Sequence, residues 1–148
     1  MSVSLASQGD IPDLAELLAL LFSQEQEFSA DIHAQTAALQ QIISNPAIGH
    51  ILVARKNNRP VGMVNILYTL STATGGKACL LEDMIVAPNF RNQGIGSQLI
   101  AQAIEQAKQM GCGRITLLTD AANVRAQSFY QGFGFTSSSM LPMRLFLA

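Results

Sequence analysis

The stretch LLEDMIVAPNFRNQGIGSQLI, residues 80–100, decides how the rest of this 148-residue chain is interpreted. It begins as an apolar strand that carries two adjacent carboxylates, Glu82 and Asp83. A turn with a proline follows, then an Arg-x-x-Gly-x-Gly loop and the start of an amphipathic helix. The first N–H groups of a helix have no partner inside the helix and hold anions well. The stretch therefore predicts a strand, loop and helix that bind a phosphate-bearing ligand.

The glycine loop does not match the two common nucleotide-binding motifs. Leu99 stands where the third glycine of a dinucleotide fingerprint belongs, and no Gly-Lys-Ser/Thr follows as in a Walker A loop. Gly94 and Gly96 let the backbone approach a phosphate closely. Taken alone, the loop is better explained as a simple turn between a strand and a helix.

Composition limits the class of protein. With 49% hydrophobic and 13% charged residues, the chain predicts a folded domain, here a single one over residues 1–148. A net charge of −1 gives no electrostatic case for nucleic acid, and no apolar run is long enough to span a membrane. Cys79, Cys112, His33 and His50 show no metal spacing, so no metal site is expected. Without a signal-peptide pattern, a cytoplasmic location is expected.

The order of elements predicts an α/β fold. Hydrophobic periodicity and turn residues give the order β-α-α-β-β-β-α-β-α-β-β. The first predicted helix has one apolar stripe, formed by Leu14, Leu17, Leu18, Leu21 and Phe22. The second is expected to face inward at Ala34, Ala38 and Ile42, and the third at Ile95, Leu99, Ile100, Ala103, Ile104 and Ala107. Lys56-Asn57-Asn58-Arg59 joins two β-rich runs and predicts a hairpin. The last two predicted strands are Phe133 to Thr136 and Met143 to Leu147. This alternation indicates a mixed sheet with helices on both faces.

Two motifs resemble those of one family, the GNAT superfamily of acetyl-CoA-dependent N-acetyltransferases. Arg91, Gly94 and Gly96 after the apolar strand resemble the family's motif A. NVRAQSFY followed by GFGF, residues 123–135, is similar to its motif B. The two lie in the family's order, and the order of elements agrees over essentially the whole chain. The resemblance implies a GNAT-like mixed, splayed sheet of about six or seven strands.

The resemblance also implies how acetyl-CoA would bind. The backbone of the splayed strand would pair with the pantetheine arm at Met84, Ile85 and Val86, and Asn123 would contact the same arm. Asn123 also suits a helix N-cap, and the two roles are compatible. Arg91 opens the loop, whose amides would hold the pyrophosphate at Asn92, Gln93, Gly94, Ile95, Gly96 and Ser97.

Tyr130 resembles the tyrosine that protonates the departing coenzyme A thiolate. A positioned acid of this kind accelerates a reaction by about 10²–10⁴-fold. The alternative role is an aromatic side chain packed at a helix end, a role that also suits Phe129.

Glu82 and Asp83 are unexpected in an apolar strand. Adjacent strand residues face opposite sides of a sheet, so at least one carboxylate should point toward a sheet face. A structural role would pair it with a cation or with backbone amides. A catalytic role would bind the ammonium form of a substrate amine and accept its proton. The run is similar to the diamine and polyamine acetyltransferase branch, which favours Glu82 as base or amine binder, with Asp83 second.

The acceptor side carries weaker signals. In the branch that acetylates ribosomal protein N-termini a glutamate precedes motif B, but Leu118 stands there in this chain. In this family the first two helices shape the acceptor site, and here their connection carries Glu25, Glu27 and Asp31. These residues suit a cationic amine, but a solvated acidic loop is the favoured interpretation.

The resulting hypothesis is transfer of acetyl from acetyl-CoA to the primary amine of a small molecule, by direct attack in a ternary complex. Protein lysine or N-terminal acetylation, a non-catalytic acyl-CoA-binding module and a different nucleotide ligand remain alternatives. A homodimer through the apolar terminal strands is allowed by analogy with related domains.

Overall fold

Nine helices and strands are present in a computed structural model that describes residues 1–25 and 29–147. They fall into two units, Met1–Leu118 and Thr119–Ala148. The first unit contains β1 (Ser2–Leu5), α1 (Ile11–Gln24), α2 (Ile32–Ser44), β2 (Gly49–Lys56), β3 (Arg59–Ser71), β4 (Gly76–Val86), α3 (Ile95–Gln109) and β5 (Ile115–Leu117). The second unit contains α4 (Val124–Gln131).

One mixed sheet with the order β1-β2-β3-β4-β5 forms the centre of the first unit. Every neighbouring pair is antiparallel except β4 and β5, which run parallel. The GNAT-like α/β class is thus confirmed, but the prediction of six or seven strands is wrong for the part of the chain described. Phe133–Thr136 and Met143–Leu147 form no strand. An apolar pattern suits a strand, but a strand exists only where a neighbour pairs its backbone, and the pattern does not specify that neighbour.

The hairpin between β2 and β3 is confirmed. Its turn residues Asn57 and Asn58 have φ of 51° and 63°. Two successive residues with positive φ characterise the tight turns that match the twist of a hairpin, and asparagine tolerates that conformation. The hairpin joins β2 and β3, which pair with β1 and β4 on their other edges.

α1 and α2 cover one face of the sheet. The predicted stripe of α1 is confirmed, since Leu14, Leu17 and Leu18 are buried against Val53 of β2 and Met63 of β3 in one cluster. In α2 the sequence pattern predicts Ala34, Ala38 and Ile42 facing inward, whereas Leu39 is the buried residue. Ile42 packs against the same core cluster, as predicted, whereas Ala34 and Ala38 are exposed, and all three line an open cavity. None of the helices in the described ranges is long and apolar enough to cross a membrane.

α3 covers the opposite face. Side chains alternate along a strand, so Gly62, Val64 and Ile66 face away from Met63. Gly62 lies against Leu99 of α3, because a Cβ built on Gly62 would come within 3.1 Å of a Leu99 methyl group. The predicted apolar side of α3 is buried at Ile95, Leu99, Ile100, Ala103 and Ala107. Helices on both faces are therefore confirmed.

A partly buried ion pair ties the N-terminal segment to the sheet. Asp10 Oδ1 and Oδ2 accept hydrogen bonds from both terminal nitrogens of Arg55 on β2, at 2.6 and 2.7 Å. Asp10 Oδ2 also accepts from the backbone N–H of Ser7 at 2.8 Å, which caps the turn before α1. The hydrogen bonds from Arg55 lower the pKa of Asp10 from 3.8 to about 2. Folding is thus favoured by the ionised form of this carboxyl.

Replacing Asp10 with Asn should lower the free energy of unfolding by about 2 kcal/mol near neutral pH, the equivalent of the pKa shift. Because the folded-state pKa lies below 3.8, this stabilisation is complete above about pH 4 and is lost as the pH falls through about 2. Urea denaturation at several pH values measures it. Exposed Glu16, replaced by Gln, is the control. An Asp10→Asn variant with wild-type stability at pH 7 would contradict the role.

Candidate active site

A β-bulge interrupts β4 at the two acidic residues. Asn65 of β3 pairs with Glu82, but Met63 pairs with Ile85, so Val64 alone faces both Asp83 and Met84. Asp83 has φ of 56°, in the left-handed region that non-glycine residues seldom adopt. Such a bulge re-aims the side chains of its strand and disturbs pairing locally.

The bulge places Glu82 and Asp83 on the wall of one cavity. The expectation that adjacent residues face opposite sides is wrong here, because the extra residue breaks the alternation. The cavity has a volume of about 260 Å³ and lies between the sheet and the first two helices. It is lined by Leu18, Phe22, Ala34, Gln35, Ala38, Leu39, Ile42, Asn65, Leu67, Glu82 and Asp83.

The two carboxylates have different surroundings in this cavity. Glu82 is exposed, whereas Asp83 is half-buried. Burial raises the pKa of Asp83, and a hydrogen bond that Asn65 Nδ2 donates to Asp83 Oδ2 at 3.2 Å partly offsets the increase. The ionised form of Asp83 is therefore less stable than that of a carboxyl in water, and Asp83 binds a proton more readily.

Asn65 is the site residue that the motifs do not indicate. It is 4% exposed, and its Oδ1 is buried without a hydrogen-bond partner in the part of the chain that the structure describes. The signal that could have found it is one amide in the apolar run VGMVNILY, since a buried polar side chain needs a partner. The strand pairing that brings it opposite Glu82 is not visible in the sequence.

Of the acidic residues predicted in the connection between α1 and α2, the two that the structure describes, Glu25 and Asp31, are not among the residues that line the cavity. Asp31 is the N-cap of α2, and its carboxylate accepts from the N–H groups of His33 and Ala34 at 3.1 and 3.2 Å. Glu25 is the C-cap of α1. Glu27 lies outside the described residues. Asp31 thus serves the end of a helix.

The outer edge of β4 is open beside the bulge. The last residue of β5, Leu117, pairs with Leu81, so no described strand continues beside Met84, Ile85 and Val86 on that side. The carbonyl of Val86 accepts a hydrogen bond from Arg91 Nε at 3.0 Å. Arg91 therefore fastens the loop to the end of the strand, a contact that the motif did not indicate.

The loop presents the first turn of α3. Gly94 has φ of 79° and is the N-cap, so it offers no side chain to the amides that follow. In the first turn, Ile95 is buried in the core, Gly96 is partly exposed and Ser97 is exposed. The N–H groups of such a turn have no partner within the helix and attract anions. Asn92, in the loop, has φ of 61°.

A lysine from β2 also reaches this loop. Lys56 Nζ donates to Gln93 Oε1 at 2.7 Å and lies 5.6 Å from the ring centroid of Phe90. Its place beside the loop depends on the pairing of distant strands, so the motif alone does not reveal it. Lys56 adds a positive charge next to the exposed amides.

The second unit contains the other two predicted site residues. Asn123 caps α4, and its Oδ1 accepts from the N–H of Ala126 at 3.0 Å, so the capping role is confirmed. Tyr130 lies near the end of α4, with its ring edge-to-face against Phe129 and Phe135. Burial raises the pKa of Tyr130, so its hydroxyl is protonated at neutral pH and is a weaker acid than that of an exposed tyrosine. The hydroxyl can donate a hydrogen bond.

Comparison with known proteins places these features in a family. The family model described as acetyltransferase (GNAT) matches residues 12–135. The chain is 31% identical over 124 residues to the uncharacterized N-acetyltransferase YhfO of Bacillus subtilis (strain 168), covering 82% of this chain and 83% of that protein. It is 30% identical over 139 residues to the thialysine N-epsilon-acetyltransferase of Sus scrofa, covering 87% and 80%.

Solved structures agree on the fold. Glucosamine-6-phosphate N-acetyltransferase from Arabidopsis thaliana superposes with a TM-score of 0.79 over 98% of this chain and 97% of that one, at 20% identity. At that identity the likeness concerns the fold alone. Alignments with several other curated relatives span only 40% to 58% of those proteins. From the family match and the relatives aligned over most of their length, this chain belongs to the acetyltransferase (GNAT) family.

Proposed function

We propose that this protein transfers the acetyl group of acetyl-CoA to the primary amine of a small molecule, by direct attack in a ternary complex. The observation that carries the proposal is the bulge in β4. It directs Glu82 and Asp83 into a cavity, next to a strand edge that lies open at Met84 and Ile85. Acceptor and acyl donor would then meet along one strand.

The acceptor would enter the cavity as an ammonium ion. Glu82, exposed on the wall, would attract the cation. Asp83 suits the role of base, because burial raises its pKa and so increases its affinity for the proton that the amine must lose. The proposal thus assigns the role of base to Asp83, whereas the sequence pattern favours Glu82.

The donor side consists of the strand edge and the loop. The open backbone of β4 at Met84, Ile85 and Val86 would pair with amides of the pantetheine arm as an added strand does. The amides from Asn92 to Ser97 would bind the pyrophosphate, with Lys56 adding positive charge. Acetyl-CoA supplies the thioester whose carbonyl the amine attacks.

Tyr130 would protonate the departing thiolate. Its raised pKa keeps the hydroxyl in the donor form at neutral pH. Asn123, whose Oδ1 caps α4, would contact the cofactor arm through its remaining amide group. Both assignments derive from the family resemblance together with the state of the side chains in the second unit.

A free-thiol assay with acetyl-CoA over polyamines, simple alkylamines, amino acids, aminoglycosides and lysine peptides tests the function. We expect thiol release with small amines. Response to peptides alone would favour a protein acceptor. Binding of acetyl-CoA without turnover would indicate a non-catalytic module, and calorimetric binding of ATP but not of coenzyme A would reject the acyl-CoA site altogether.

Asp83→Asn should lower kcat by about 10²–10⁴-fold, the range typical of a general base. Its stability should be unchanged or higher, since asparagine tolerates positive φ and carries no charge to bury. The matched variant Glu82→Gln should mainly raise KM for the amine. Steady-state kinetics and thermal denaturation measure both. A larger kcat loss in Glu82→Gln than in Asp83→Asn would transfer the role of base to Glu82.

Tyr130→Phe should keep the affinity for acetyl-CoA and lower kcat, because the ring packing stays while the O–H donor is lost. Calorimetry gives the affinity and the thiol assay gives kcat. Phe129→Tyr, on the neighbouring aromatic position, controls for disturbance of the ring cluster. Wild-type kcat for Tyr130→Phe at saturating substrates would rule out the acid role.

A further inference from the structure

The cavity between the sheet and the first two helices has one acidic wall and an otherwise mainly apolar lining. Glu82 and Asp83 stand on the acidic wall beside Asn65. The helices contribute apolar side chains, with Gln35 as the polar exception. None of the described residues that line the cavity is lysine, arginine or histidine. A bound group with negative charge would find no cation there.

Asn65 lowers the stability of the fold at this position. An unsatisfied buried acceptor such as its Oδ1 costs about 1–3 kcal/mol, and a leucine would bury more apolar surface without that cost. Its Nδ2 donates to Asp83, and because an ionised carboxylate only accepts hydrogen bonds, this contact fixes the orientation of the amide. Because Oδ1 is buried away from solvent, it is not available to a ligand in the cavity. Asn65 therefore influences the site through its hydrogen bond to Asp83.

We infer that this cavity takes a small primary amine with an apolar body and no acidic group, and that Asn65 is a positioning residue that holds Asp83 toward the amine. The inference rests on the proposed function and names its acceptor class. The cavity volume of about 260 Å³ is just below the usual range for ligand pockets, so the acceptor is small. Its ammonium group pairs with the carboxylates, and its carbon body packs against α1 and α2.

Four matched amines test the acceptor class: n-butylamine, 1,4-diaminobutane, 4-aminobutyrate and 3-aminopropylphosphonate. Butylamine is expected to have the highest kcat/KM in the thiol assay. Diaminobutane should follow, because its second ammonium must lie against apolar side chains. The two acidic amines should be at least about 100-fold poorer, since like charges brought together cost several kcal/mol.

Adding a cation to the apolar wall should change this order. Ala34 is an exposed residue of α2 that lines the cavity, so Ala34→Arg adds a guanidinium without disturbing the core. In this variant the ratio of kcat/KM for 4-aminobutyrate to kcat/KM for butylamine should rise by about tenfold or more, because arginine binds carboxylates bidentately. Ala37→Arg, on an exposed position of α2 outside the cavity lining, is the matched control and should keep the wild-type ratio.

Asn65→Leu tests the positioning role by a pH profile. The hydrogen bond from Asn65 lowers the pKa of Asp83, so its loss should move the acidic limb of kcat/KM upward by about one pH unit. Glu82 is the other titratable group among the described residues of the cavity lining. Leu70→Val, at an exposed position of the same strand outside the cavity lining, removes no donor and should leave the limb in place. An unshifted limb in folded Asn65→Leu would overturn the positioning role.

The outcomes separate the inference from the proposed function. Acidic amines acetylated as well as butylamine, with the same order in Ala34→Arg, would overturn the inference while the proposed function stands. Absence of thiol release with every amine and peptide tested would overturn both. A preference for butylamine that Ala34→Arg shifts and Ala37→Arg does not would support the inference.

Discussion

Asp83 adopts a left-handed backbone conformation inside a strand, and the rest of the site depends on that one residue. Its φ of 56° creates the bulge opposite Val64. The bulge breaks the alternation, so that two successive carboxylates line one cavity while Ile85 returns to the core against Met63. A regular strand would have directed one of the carboxylates toward the face covered by α3.

Two features of this arrangement destabilise the fold locally, and the packing of the surrounding core offsets them. A left-handed non-glycine residue costs about 1–2 kcal/mol, and the unsatisfied Oδ1 of Asn65 adds about 1–3 kcal/mol. Strain of this kind persists where neighbouring packing determines the conformation, and it concentrates at functional sites. Here Ile85, which follows the bulge, packs into the cluster formed by α1, Leu39, Val53 and Met63. The bulge is thus a strained point within β4, a strand that is otherwise well packed.

The bulge also relates the two sides of the proposed reaction. One side of β4 directs carboxylates toward α1 and α2, and no described strand pairs with its outer edge beyond Leu81, where β5 stops. Arg91 fastens the glycine loop to Val86 at the end of the same strand. A single strand therefore carries the acceptor wall, the backbone edge and the attachment of the anion-binding loop.

The sequence by itself determined the elements with strong local signals: the stripe of α1, the Asn57-Asn58 hairpin, the glycine loop that opens α3, and the two motifs that indicate the family. These depend on periodicity, positive φ and spacing within a few residues, which a linear sequence displays directly. The tertiary structure decided the rest. Strand pairing brings Asn65 and Lys56 to the site and puts both carboxylates on one wall. The C-terminal segments described form no strand, because no neighbouring strand pairs with them. Each of these outcomes depends on a partner that is distant in the chain.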